Sequence, residues 1–123
     1  MPVNIARLRE ENLKSIEAVD NSITCLRTLL DEGPPLSEAI AITAQLNRAQ
    51  SDKIHLQLVR GHLLAAGTVV APISAPVEAR LDELSARLDA AILQDFVINA
   101  TFALVKKVLS AAEEISDITS DNT

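Results

Sequence analysis

Residues 90–109 read AAILQDFVINATFALVKKVL, and how this stretch is covered decides the fold. It has the length of a membrane span, yet it holds Gln94, Asp95, Asn99, Lys106 and Lys107. Asp and Lys near the centre of a span each cost roughly 2.5–3.5 kcal/mol on insertion scales, so the stretch reads as a buried helix, not a membrane anchor. No Gly or Pro follows Pro76. The pattern therefore predicts one continuous helix over about 76–117, roughly 60 Å long. Its seam reads Leu81, Leu84, Leu88, Ala91, Asp95, Ile98, Phe102, Val105, Leu109 and Ala112. Before residue 90 the helix is amphipathic, with Glu78, Arg80, Asp82, Glu83, Arg87 and Asp89 outside the seam. From 90 to 109 it is apolar nearly all round and needs cover on every side. Two shorter helices in a monomer do not supply that cover. Self-association is expected, with Ile98, Phe102, Val105 and Leu109 at the oligomer interface.

Working back toward the N-terminus, Gly and Pro cluster twice: at Gly33, Pro34 and Pro35, and from Gly67 through Pro72 to Pro76. These clusters separate three helical segments. The first runs over about 4–32, with Asn4 as N-cap and Val3 and Leu8 as a hydrophobic staple. Its apolar residues are Ile5, Leu8, Ile16, Val19, Ile23, Leu26 and Leu30, in steps of three and four from Ile16 onward, as in a heptad seam. Gly33 ends it in a left-handed conformation. The second runs from about Pro35, placed at N1, to Gly67. Its apolar positions, Leu36, Ile40, Leu46, Ile54, Leu58 and Leu64, are diluted by Thr43, Asn47, Gln50 and Lys53. Gly61 and Ala65, one turn apart, make a small-residue spot where another helix can approach. The expected fold is all-α: an antiparallel three-helix bundle over 1–117 with a long third helix completed by dimerisation. Residues 118–123 are expected to fray.

The 123-residue chain is 48% hydrophobic and 23% charged, which argues against disorder. It has no Trp or Tyr and two Phe, which removes base-stacking platforms and aromatic cages. A net charge of −6 disfavours a phosphate-backbone binder, so no nucleic-acid partner is expected. The acidity is uneven. Residues 77–123 hold four basic and nine acidic side chains, residues 33–76 three and two. A single cysteine, Cys25, excludes an intrachain disulfide and reads as a small buried hydrophobe. Charges in the first eleven residues take the place of a signal peptide's apolar core, which points to the cytoplasm by default.

Asp95 and Asn99, i and i+4 in the most apolar stretch, are the sharpest polar feature. A buried carboxylate needs a cation, donors or a proton. One reading is a polar contact that fixes register or oligomer state, with Lys53, Asn47, Gln50 or Gln57 as partner. The other is the floor of a ligand pocket or a general base. His55 and His62 share a helical face with Arg48 and Asp52. Their rings lie about 10.5 Å apart along the axis, too far to share an ion. Asp52-x-x-His55 has usable spacing but lacks further ligands, so no metal or cofactor is expected. Histidine phosphotransfer domains place Leu, a basic residue and Gly two, three and four after the accepting His. His62 is followed by Leu64, Ala65 and Ala66, with Gly67 one place late. No activated serine or phosphate-cradling loop is present. The apolar connection 68–75 is expected to fold back onto the bundle or meet a partner.

The expected function is that of a non-enzymatic interaction protein working as a homodimer or through another protein's helices, in an adaptor, chaperone-like or neutralising role. The alternatives are a small-ligand or catalytic bundle with its pocket at Asp95 and Asn99, and a divergent phosphotransfer module.

Overall fold

The computed structural model describes residues 3–65, 67–93 and 98–123, with side chains at 5–65, 67–89 and 103–123. Four helices and no strand are found among them: α1 Val3–Asp31, α2 Leu36–Leu64, α3 Ala75–Leu93 and α4 Ile98–Asn122. The expected long third helix is thus two helices, and the bundle has four members instead of three. Arg80 Nη2 lies 2.7 Å from Glu114 Oε2. A continuous helix would hold residues 34 positions apart at about 51 Å. Folding back has a clear physical reason. It gives α4 a third neighbour inside the chain, with Leu81, Leu84 and Leu88 of α3 packed in one cluster with Val108, Ala111 and Ile115 of α4.

The helices alternate in direction. Asn12 donates to the Leu56 carbonyl and Arg9 to the Leu63 carbonyl, which sets α1 antiparallel to α2. Arg7 pairs with Asp82, and Lys14 with Asp89, so α3 runs with α1. Leu8 clusters with Ile115, whereas Val19 and Leu26 cluster with Val105 and Leu109, so α4 runs against α1. α1 and α4 lie against each other and both remaining helices, while α2 and α3 sit at opposite corners with no close backbone approach among the described residues. This central position explains why α1 buries polar groups as well as its apolar seam. Glu11, Asn12, Ser15 and Ser22 are buried, and the two serines donate to the carbonyls of Glu11 and Ala18 four residues back.

Local chemistry sets the ends. Gly33 has φ +70° and donates to the Leu30 carbonyl, the left-handed stop read from the sequence. Pro35 sits at the N-cap of α2, one place before N1. Val3 and Asn4 are already helical, so Asn4 is not the N-cap that the sequence suggests. Ser74 Oγ accepts from the Val77 amide and caps α3. The connection before it folds back: Val70 and Ile73 pack against the core, and the Ala71 amide donates to the Asn122 carbonyl at 2.8 Å. At that end α4 stays helical to Asn122, with Ile118 half-buried and Thr119 buried, so the frayed tail expected at 118–123 is not what the chain forms.

Candidate functional site

Helix α2 buries a strict seven-residue series, Ile42, Ala49, Leu56 and Leu63, between α1 and α4. The residues read as its core face lie elsewhere. Leu36, Ile40, Ile54 and Leu58 are 62–77% exposed, Leu64 is exposed, and only Leu46 packs against the core. As a corner helix, α2 has its neighbours α1 and α4 on one side among the described residues. Its outer side presents Ile40, Ala44, Asn47, Ser51, Ile54, Leu58, Gly61 and Ala65, all exposed and spaced alternately by four and three. No charged residue interrupts this row. The row has the spacing of a seam that packs along another helix.

Lys53 is drawn to α1, where its Nζ lies 2.5 Å from Asp20 Oδ1. It borders an open groove of about 440 Å³ between α1 and α2, lined also by Asn21, Arg27, Gln50, Ile54 and Gln57. Asp95 lies outside the described residues, as do the side chains of Asn99, Ile98 and Phe102. Asp52, the neighbour of Lys53, shares a cavity with Glu113, which is about 22 Å along α4 from Ile98. Val105 and Leu109 are fully buried inside the chain, clustered with Val19, Ile23 and Leu26 of α1 and Leu56 of α2. Their apolar surface is taken up by the fold itself.

A second constellation joins α2 to α4. Arg48 donates from Nε and Nη2 to Glu113 Oε2 and Oε1, at 2.8 and 2.7 Å, and from Nη2 to Ser110 Oγ. This two-pronged contact holds the Glu113 carboxyl below its ordinary range, although partial burial opposes it. Asp52 responds in the opposite sense. Burial first, and then the adjacent Glu113 carboxylate, push it up to about 7 against the pull of Arg48. Its buried Oδ2 has no donor within reach. A proton on that oxygen makes it the donor, which is the state a raised pKa describes. The cavity here is about 70 Å³, lined by Asp52, His55, Leu56, Ala112, Glu113, Ser116 and Asp117. That is room for about two waters at liquid density, far below the 300–1,000 Å³ of small-molecule sites. Asp52 and His55, noted for their ligand-like spacing, do face two more acidic residues. Even so, no group of three His, Cys, Asp or Glu among the described residues is placed to hold a metal ion.

Cys25 is partly buried on α1, and burial raises its thiol pKa. His62 is exposed on the last turn of α2, and its carbonyl accepts from the Thr68 hydroxyl at 2.7 Å. No helix among the described residues is long and apolar enough to cross a membrane. Comparison with protein-family models, with curated proteins and with solved structures gives no match.

Proposed function

We propose that this chain is a non-enzymatic helical interaction protein that works through self-association or by docking another protein's helix, and that its working surface is the outer face of α2. The observation that carries this reading is the uncharged row of Ile40, Ile54 and Leu58 with small residues between them, exposed and left uncovered by the other described residues. Burying a fully exposed Leu or Ile is worth about 1.5–3 kcal/mol, so a helix laid along this row has a substantial driving force. The α1–α2 groove supports the same reading, because Gln50, Ile54 and Gln57 form one of its walls and a docked helix would line it further. The polar cavity at Asp52 is water-sized, which favours a structural proton site over a substrate pocket.

Sedimentation equilibrium of the purified protein at micromolar concentration tests the self-association branch. The expected result is a mass above that of the monomer, reverting to monomer in Ile54→Glu with unchanged helical content. A monomeric protein that also captures no helical partner under the same conditions would defeat the proposal.

A further inference from the structure

We infer that the outer face of α2 docks on a second copy of this chain, antiparallel about a two-fold axis that places Ser51 opposite the partner's Ile54. This rests on the interaction reading above and adds the occupant and its register. The order of side chains along the row carries the argument. With Ser51 against the partner's Ile54, Asn47 meets the partner's Leu58, Ala44 meets the partner's Gly61, and Ile40 meets the partner's Ala65. Each Ile or Leu then enters a space left by a smaller residue, as knobs enter holes. The two-fold repeats every pair, so one surface is complementary to itself. A parallel pairing would set Ile54 on Ile54 and Leu58 on Leu58 but Ala44 on Ala44 and Gly61 on Gly61, holding the helices apart in the middle and leaving voids at the small layers.

Gly61 is the second observation. Its φ is not positive, so the backbone does not require glycine. A Cβ added there meets nothing within 4 Å in its own chain. Glycine inside a helix is unfavourable relative to alanine, and nothing among the described residues accounts for it. Against the partner's Ala44, the missing side chain lets two backbones approach. Charge agrees: α2 holds three basic and two acidic residues, in a chain with 11 basic and 17 acidic, so copies meeting here bring together their least acidic helices. The face from Leu36 to Ala65 is about 45 Å long and about 11 Å wide, or about 1,000 Å² counted on both partners. That lies at the lower bound for a specific interface and fits a dimer of modest affinity.

Cysteine pairing reads the register directly. In a Cys25→Ser background, Asn47→Cys and Leu58→Cys chains are prepared separately, mixed at micromolar concentration and oxidised under mild conditions. The expected product is a disulfide-linked heterodimer from the mixture and little from either variant alone, since two copies of residue 47 would be about 16 Å apart along the axis. Efficient linkage of either variant to itself would overturn the antiparallel register. A dimer by sedimentation that forms no link in any mixture would overturn this arrangement while leaving self-association standing, and a monomer would remove both. Gly61→Leu gives an independent check. It should melt no lower than wild type when dilute, yet lose at least tenfold in dimer affinity; full retention of dimer would defeat the inference.

Discussion

α2 and α3 occupy equivalent corners of the bundle, each resting on α1 and α4, yet they treat solvent differently. The exposed side of α3 carries Glu83 and Arg87, with Arg87 Nη2 2.8 Å from Glu83 Oε1, and is flanked by Glu78 and by Asp82 and Asp89, which turn toward α1. That is an ordinary solvated face. The outer side of α2 is a charge-free row containing Ile40, Ile54 and Leu58. Position in the bundle therefore does not dictate the chemistry of an outward face. The proposed docking surface rests on this divergence between two corners of one fold.

The largest contrast lies within α2. Leu63 is fully buried and Leu64 is 53% exposed. Leu63→Ala should cost about 2–5 kcal/mol in chemical denaturation, and Leu64→Ala less than about 0.5 kcal/mol. Similar losses for both would mean that the two faces of α2 are not distinct. Next comes a charge at each corner. Leu58→Glu should weaken assembly at least tenfold by analytical ultracentrifugation, whereas Ala86→Glu on α3 leaves it unchanged. Equal effects would erase the difference between the corners.

A smaller effect concerns the α2–α4 junction. Because folding raises Asp52 to about 7, the native state holds a proton that the unfolded chain releases near pH 4. Stability from this group is retained at low pH and falls as pH rises from about 4 to 7. Glu113, lowered, acts in the opposite sense and only below its unfolded value, so the two windows separate. Asp52→Asn should therefore flatten the melting profile between pH 4 and 7 and raise stability at pH 8 by about 1 kcal/mol, well under the full linkage value because the site is partly open to solvent. An unchanged pH profile would place the titration elsewhere. The smallest effect belongs to α3: Arg87→Ala should leave the melting temperature unchanged, and a clear drop would show that its outer face contributes more than solvation.

Much of this molecule is legible in the chain. The seam of α1 was readable because Leu8, Val19, Ile23 and Leu26 recur at helical spacing and are buried as that spacing implies. The stop at Gly33 followed from a conformation that glycine alone adopts easily. On α2 the buried face is not the one that the sequence suggests. The helix carries two apolar stripes on opposite sides, and periodicity alone does not say which one the bundle covers. The inner stripe, Ile42, Ala49, Leu56 and Leu63, includes a small alanine and carries no more apolar bulk than the outer one. The division between α3 and α4 has no Gly or Pro to announce it; the gain from covering an apolar helix outweighs the modest propensity of the residues where it divides. Asp52 and Glu113 are 61 positions apart, so no local pattern joins them. The only hint was Arg48 on the same face as Asp52, a cation in search of an acid.

The fold-back of α4 on α3 also bears on how the chain reaches its native state. Each helix lies against the one before or after it in sequence: α1 with α2, and α3 with α4. Contacts between sequence neighbours close short loops, and helical proteins built this way belong to the fast-folding end of the range. A single long helix would have needed a second chain to cover it, making folding bimolecular and dependent on concentration. Doubling back removes that dependence. Leu81, Leu84 and Leu88 meet Val108, Ala111 and Ile115 within one chain, a contact whose formation does not depend on protein concentration.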